Sequence, residues 1–184
     1  MNSFLFNHIK FQIASLTILL ILEVIYFLRP KIKLLSNRIF TVLMISSLGY
    51  LIFDFATVFA LVYYDNVPLW FVRFTHQGFI LFLDIALSSI YLYMDMLNRN
   101  QRRYSRSELS LIIASYLVVI ASILFAPISY YIEEDGIYSY GVMVNCVYAI
   151  LIIYSFMTVF QTLRHIKNKD HRKQKICVLM TMVL

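Results

Sequence analysis

Apolar residues run along this chain in blocks far longer than the helices of a soluble core, and polar residues collect in short joints between them. Five blocks reach the roughly 20 residues needed to cross about 30 Å of hydrocarbon at about 1.5 Å per residue. They are Phe11 to Leu28, Ile39 to Tyr64, Leu69 to Leu97, Leu109 to Tyr131 and Val142 to Leu163. A sixth block starts at Ile176 and reaches Leu184. The pattern predicts an all-α fold: a polytopic bundle of transmembrane helices, one domain over residues 1–184, with five full spans and the start of a sixth. Half a span cannot satisfy its backbone across a bilayer, so the expectation is a C-terminally truncated membrane domain. The first block is too long for a signal-peptide core and has no small-x-small cleavage site before "RPKIK", so it is read as a retained helix.

Charge then orients the bundle. The joint "RPKIKLLSNR" is basic and free of acids, "DNVP" carries Asp65 and no base, and "NRNQRRYSRSE" holds four arginines. "IEEDGIYSYG" carries Glu133, Glu134 and Asp135 with no base, and "RHIKNKDHRKQK" is strongly basic. Lys and Arg resist translocation, so this alternation places the N-terminus outside and the basic joints in the cytoplasm. The expected location is the cell (plasma) membrane, multi-pass, with the lipid bilayer as the first partner.

Composition agrees: 61% of the residues are hydrophobic and only 14% charged, against about a quarter charged in ordinary soluble domains. The net charge of +6 is accounted for by orientation and attraction to anionic headgroups, so no nucleic-acid partner is expected. Cys146 and Cys177 make neither a disulfide framework nor a metal-ligand set.

Ionisable residues inside the apolar blocks are the candidates for chemistry, because they are costly there. The third block carries Arg73, His76, Gln77, Asp84, Ser88, Tyr91 and Asp95. Steps of three, four, seven and eleven return to nearly one helix face, so Arg73, Asp84 and Asp95 form a stripe that avoids lipid. Asp54 in the second block lies near the depth of Arg73 and His76 and is expected to pair with one of them. Asp54, Arg73, His76, Gln77 and Asp84 are therefore the candidate ligand or sensing pocket, open to the outside. Their alternative reading is a packing network between helices. Glu23 is expected to snorkel or pair, and Asn145 and Gln161 to join helices. Glu134, Asp135, Tyr138 and Tyr140, around the Asp135-Gly136 turn, are the candidate outer lid; the alternative is an interfacial aromatic belt.

No Gly-rich phosphate loop, His-Glu-x-x-His, Gly-x-Ser-x-Gly or paired-cysteine motif is present, so the sequence assigns no catalytic residue, cofactor or metal to this chain.

"SNRIF", "LIFDFATVFALVYYDNVPLWFVR", "YYIEEDGIYSYG" and "YAILIIY" followed by a long basic joint together resemble the N-terminal multi-helix membrane sensor region of bacterial GGDEF-domain proteins, the diguanylate cyclases. More loosely, the chain is similar to the seven-helix input region of membrane histidine kinases. The resemblance implies a sensory input domain, acting as a homodimer, that controls a C-terminal cytoplasmic output making cyclic di-GMP. It also implies a small extracellular or membrane-dissolved ligand. The output's signature residues are not in this sequence. The rival expectation is a small transporter or channel component.

Overall fold

The structure is a computed structural model that describes residues 2–28, 34–98, 104–127, 129–133, 136–165 and 176. Five helices dominate it: α1 (Asn2–Leu28), α2 (Leu35–Val62), α3 (Leu69–Asn98), α4 (Arg106–Phe125) and α5 (Val142–His165). Strands β1 (Ser129–Glu133) and β2 (Gly136–Tyr140) form an antiparallel hairpin between α4 and α5. The helical class expected from the sequence is observed, with this hairpin added where a loop was expected. The start of a sixth span lies outside the described residues, apart from Ile176.

Among the described residues, four helices are long and apolar enough to cross a membrane: Ile9–Leu28, Leu35–Val62, Leu69–Asn98 and Val142–Arg164. The fourth expected span, Leu109 to Tyr131, is corrected by the structure. Its helix closes at Phe125, where the Ala126 N–H donates to the Ser122 carbonyl. Pro127 cannot continue the ladder, and the chain turns into β1. The apolar part of α4, Ile112–Phe125, rises only about 20 Å; its first, polar turn brings the whole helix to about 30 Å.

Each boundary has a local cause. Pro68 stands just before α3, where its missing N–H is no loss, and its carbonyl accepts from Phe71 and Val72. Between α2 and α3 a single 3₁₀ turn, Tyr64–Asn66, reverses the chain. Gly141, at φ 122°, makes the sharp exit from β2 into α5, a backbone region that disfavours side chains with a Cβ.

The packing is inverted relative to a soluble protein. Large apolar side chains such as Phe11, Ile52, Leu117 and Phe156 stand on the outside, while the interior holds Thr75, His76, Asp84, Ser88, Ser89, Asp95, Thr158 and Thr162. Most of those interior polar groups belong to α3, which packs against α2, α4 and α5. A helix surrounded by helices can hold polar groups that lipid-facing positions cannot. Helix α1 packs on α2 at the edge; there the Tyr26 hydroxyl donates to the Asn37 carbonyl at 3.1 Å and meets the Thr41 hydroxyl at 2.7 Å. Glu23 is buried, so it does not snorkel to water.

The α2–α3 contact is a reciprocal interlock. The Phe82 ring of α3 lies over Gly49 of α2, and the Phe53 ring of α2 lies over Gly78 of α3. The two rings stack on each other with centroids 5.4 Å apart. Small residues let helix backbones approach where no hydrophobic force separates helix contact from lipid contact.

Candidate functional site

The polar groups of α3 fall at three depths. At the end nearest α2's 3₁₀ turn, Arg73 and Gln77 line an open cleft of about 480 Å³ with Leu69, Trp70 and Leu124. Arg73 is exposed there. The Gln77 amide donates to the Leu124 carbonyl at 3.1 Å, so it supplies a donor to one of the carbonyls left open at the end of α4. Gln77 thus couples α3 to α4.

On the neighbouring face, His76 is only 8% exposed. Its ring meets Phe79 and the hairpin's Tyr130, each with centroids 6.1 Å away. Among the described residues, His76 Nδ1 and the Tyr130 hydroxyl are both buried and neither has a hydrogen-bond partner. Tyr64 also meets Tyr130, with the rings tilted and their centroids 5.9 Å apart. Burial pushes the Tyr130 phenol up to about 12, with Arg73 opposing and Tyr64 reinforcing the shift. Tyr130 is therefore a neutral hydroxyl at ordinary pH, able both to donate and to accept.

The hairpin meets α3 through Tyr130, which is not one of the four residues expected in a lid. Register pairs Tyr131 with Tyr138 and Ser129 with Tyr140. Tyr140 is half exposed and meets Tyr131 edge-on, with centroids 5.4 Å apart. Glu134 and Asp135, the acidic pair expected in the lid, lie outside the described residues. Tyr130, offset by one position, is the side chain that reaches α3.

Asp54 is a second correction. Among the described residues it pairs with neither Arg73 nor His76; its polar neighbours are Gln12 of α1 and Tyr50 one turn earlier on α2. The face of α2 that carries Asp54 meets α1, whereas His76 looks toward Phe79 and the hairpin. The five candidate pocket residues therefore do not converge on one site.

Halfway along α3, Asp84 is 1% exposed. Both carboxylate oxygens lack a hydrogen-bond partner among the described residues. The Ser88 hydroxyl one turn on donates instead to the Asp84 backbone carbonyl, at 2.6 Å. Ile80, Leu83, Leu87, Val147 and Ile150 line a gap beside Asp84 that is too small for a water molecule. Tyr116 of α4 and Tyr154 of α5 are its electrostatic neighbours, and both come within reach of Ser88.

At the far end of α3, Asp95 accepts from Tyr104, just before α4, at 2.7 Å and from Gln161 of α5 at 2.5 Å. The helical stripe pointed to Asp95, but Tyr104 carries no such signal because it lies beyond the end of the helix. Gln161 joins helices as its position suggested. A cleft of about 400 Å³ opens beside this clamp, lined by Tyr91, Asn98, Met157, Phe160 and Arg164 among others. Among the described residues no three His, Cys, Asp or Glu side chains group as a metal site.

Compared with protein-family models, curated proteins and solved structures, the chain matches none.

Proposed function

We propose that this chain is the membrane-embedded sensory input domain of a signalling protein. In this reading it lies in the cell membrane with its N-terminus and hairpin outside. The signal enters where Tyr130 meets His76, travels along α3 as a change in its packing on α5, and leaves through the Asp95–Gln161 clamp toward the basic joint after α5. The output in the cytoplasm, a GGDEF diguanylate cyclase acting as a homodimer, rests on the sequence resemblance alone. So does a histidine kinase output.

One observation supports transmission over conduction: the seam beside Asp84 has no room for water. A transported solute or ion needs a continuous wet path at mid-membrane, whereas a packing signal needs contact. The rival reading, a small transporter, draws on the same residue, a bare carboxylate between two open clefts.

Cross-linking in lipid vesicles separates them. In a Cys146→Ser, Cys177→Ser background, cysteines at Asn98 and Phe160 report the distal cleft, whose walls both residues line. Tyr130→Ala at the opposite end is expected to change their cross-linking rate by about fivefold or more, the lower range of ordinary site-to-site coupling. Tyr148→Ala, on an exposed position of α5, is expected to leave it unchanged. An unaltered rate in Tyr130→Ala, with ion flux through vesicles that Asp84→Asn abolishes, would establish transport instead.

A further inference from the structure

We propose that Asp84 is a proton-binding site within the α3–α4–α5 seam, and that the packed arrangement is its proton-loaded state. This rests on the membrane placement of α3 and is independent of whether the chain senses or transports.

An ionised carboxylate in an apolar interior is neutralised by a cation, by donors, or by a proton. The first two are excluded by the surroundings of Asp84. No donor reaches either oxygen among the described residues. The side chains that line the gap are aliphatic and offer no further oxygen ligand. A sodium or calcium ion needs several oxygens around it, and the gap does not admit even one water. The titratable groups that face the seam are Tyr116 from α4, Tyr154 from α5 and, beside Tyr154, Tyr91 from α3 itself. All three are phenols, and none supplies a positive charge. On α2, Tyr50 and Asp54 act on each other. A proton is the one species that both neutralises the group and fits.

The balance is simple. One proton from water binds one carboxylate oxygen, and the seam changes from one negative charge to none. Loss of that proton leaves an ion beside Ile80, Leu83, Leu87, Val147 and Ile150, which is strongly unfavourable unless the seam parts to admit water. Proton release and separation of α3 from α5 are therefore one event. Ser88 favours the loaded state, because its hydroxyl is committed to backbone carbonyls of Asp84 and Ile85 and offers no donor to a carboxylate ion.

Infrared spectroscopy of the full protein in lipid bilayers at neutral pH tests the site directly. The carbonyl stretch of an undissociated carboxylic acid is expected, shifting when aspartate is labelled with ¹³C at its side-chain carboxyl. Asp84→Asn is expected to remove the band, while Asp54→Asn and Asp95→Asn keep it. The labelled wild-type protein needs no variant to fold. Absence of a label-sensitive acid band there, or its full retention in Asp84→Asn, overturns the proposal.

Discussion

Gly78→Leu is expected to destabilise the bundle by about 3 kcal/mol, the upper end of ordinary overpacking. Even the first carbon added at Gly78 would fall within the Phe53 ring. That ring cannot simply swing away, because it stacks on Phe82, which is itself seated over Gly49, and its opposite edge meets Phe74 at 5.7 Å. Two effects compete in the milder Gly78→Ala. Alanine gains up to about 1 kcal/mol of helix propensity over glycine, and the clash costs about 1–3 kcal/mol, so a net loss of about 1 kcal/mol is expected. Phe53→Leu, which removes the obstructing ring, is expected to recover much of the loss in either variant. Unfolding in mixed micelles measures all of these. Full stability of Gly78→Leu would mean that α2 and α3 do not meet through this interlock.

Asp95→Ala carries the second large effect. It strips the common acceptor from Tyr104 and Gln161, and so loosens α4's entry and α5 from α3 at once. Hydrogen bonds contribute about 0.5–1.5 kcal/mol each in soluble proteins, and those between membrane helices average about 0.6 kcal/mol. A loss of about 2 kcal/mol is expected for the two bonds together at this buried position. Gln161→Ala removes one of the two bonds, so the double variant Asp95→Ala, Gln161→Ala is expected to cost less than the two losses added. Strict additivity in unfolding measurements would show that the clamp does not tie α3 to α5.

The helices were legible because their signal is long and cumulative: blocks of twenty apolar residues tolerate errors of several positions. Asp84, His76 and Asp95 were legible for a related reason, since ionisable groups in such blocks must turn inward. The lid was not. In a hairpin one position decides which face a side chain takes, and nothing in "YYIEEDGIYSYG" distinguishes Tyr130 from Tyr131 until the strands are paired. Depth alone suggested Asp54 as a partner for Arg73 or His76, but depth does not fix the rotation of α2, which turns Asp54 to Gln12. Gln77 read as part of a pocket because its partner, a carbonyl at the end of α4, leaves no trace in side-chain type. Pro127 did carry the early end of α4, a signal outweighed by the apolar residues around it.

A helix bundle set in lipid buries its polar groups and keeps its basic joints on one side. Sided labelling of single cysteines in intact cells, on the Cys146→Ser, Cys177→Ser background, measures this directly. Asn66→Cys in the turn before α3 and Ser105→Cys just before α4 lie at opposite ends of α3's span. An impermeant thiol reagent is expected to label the first and to reach the second only after the membrane is opened. Equal labelling of both without opening the membrane would contradict the arrangement.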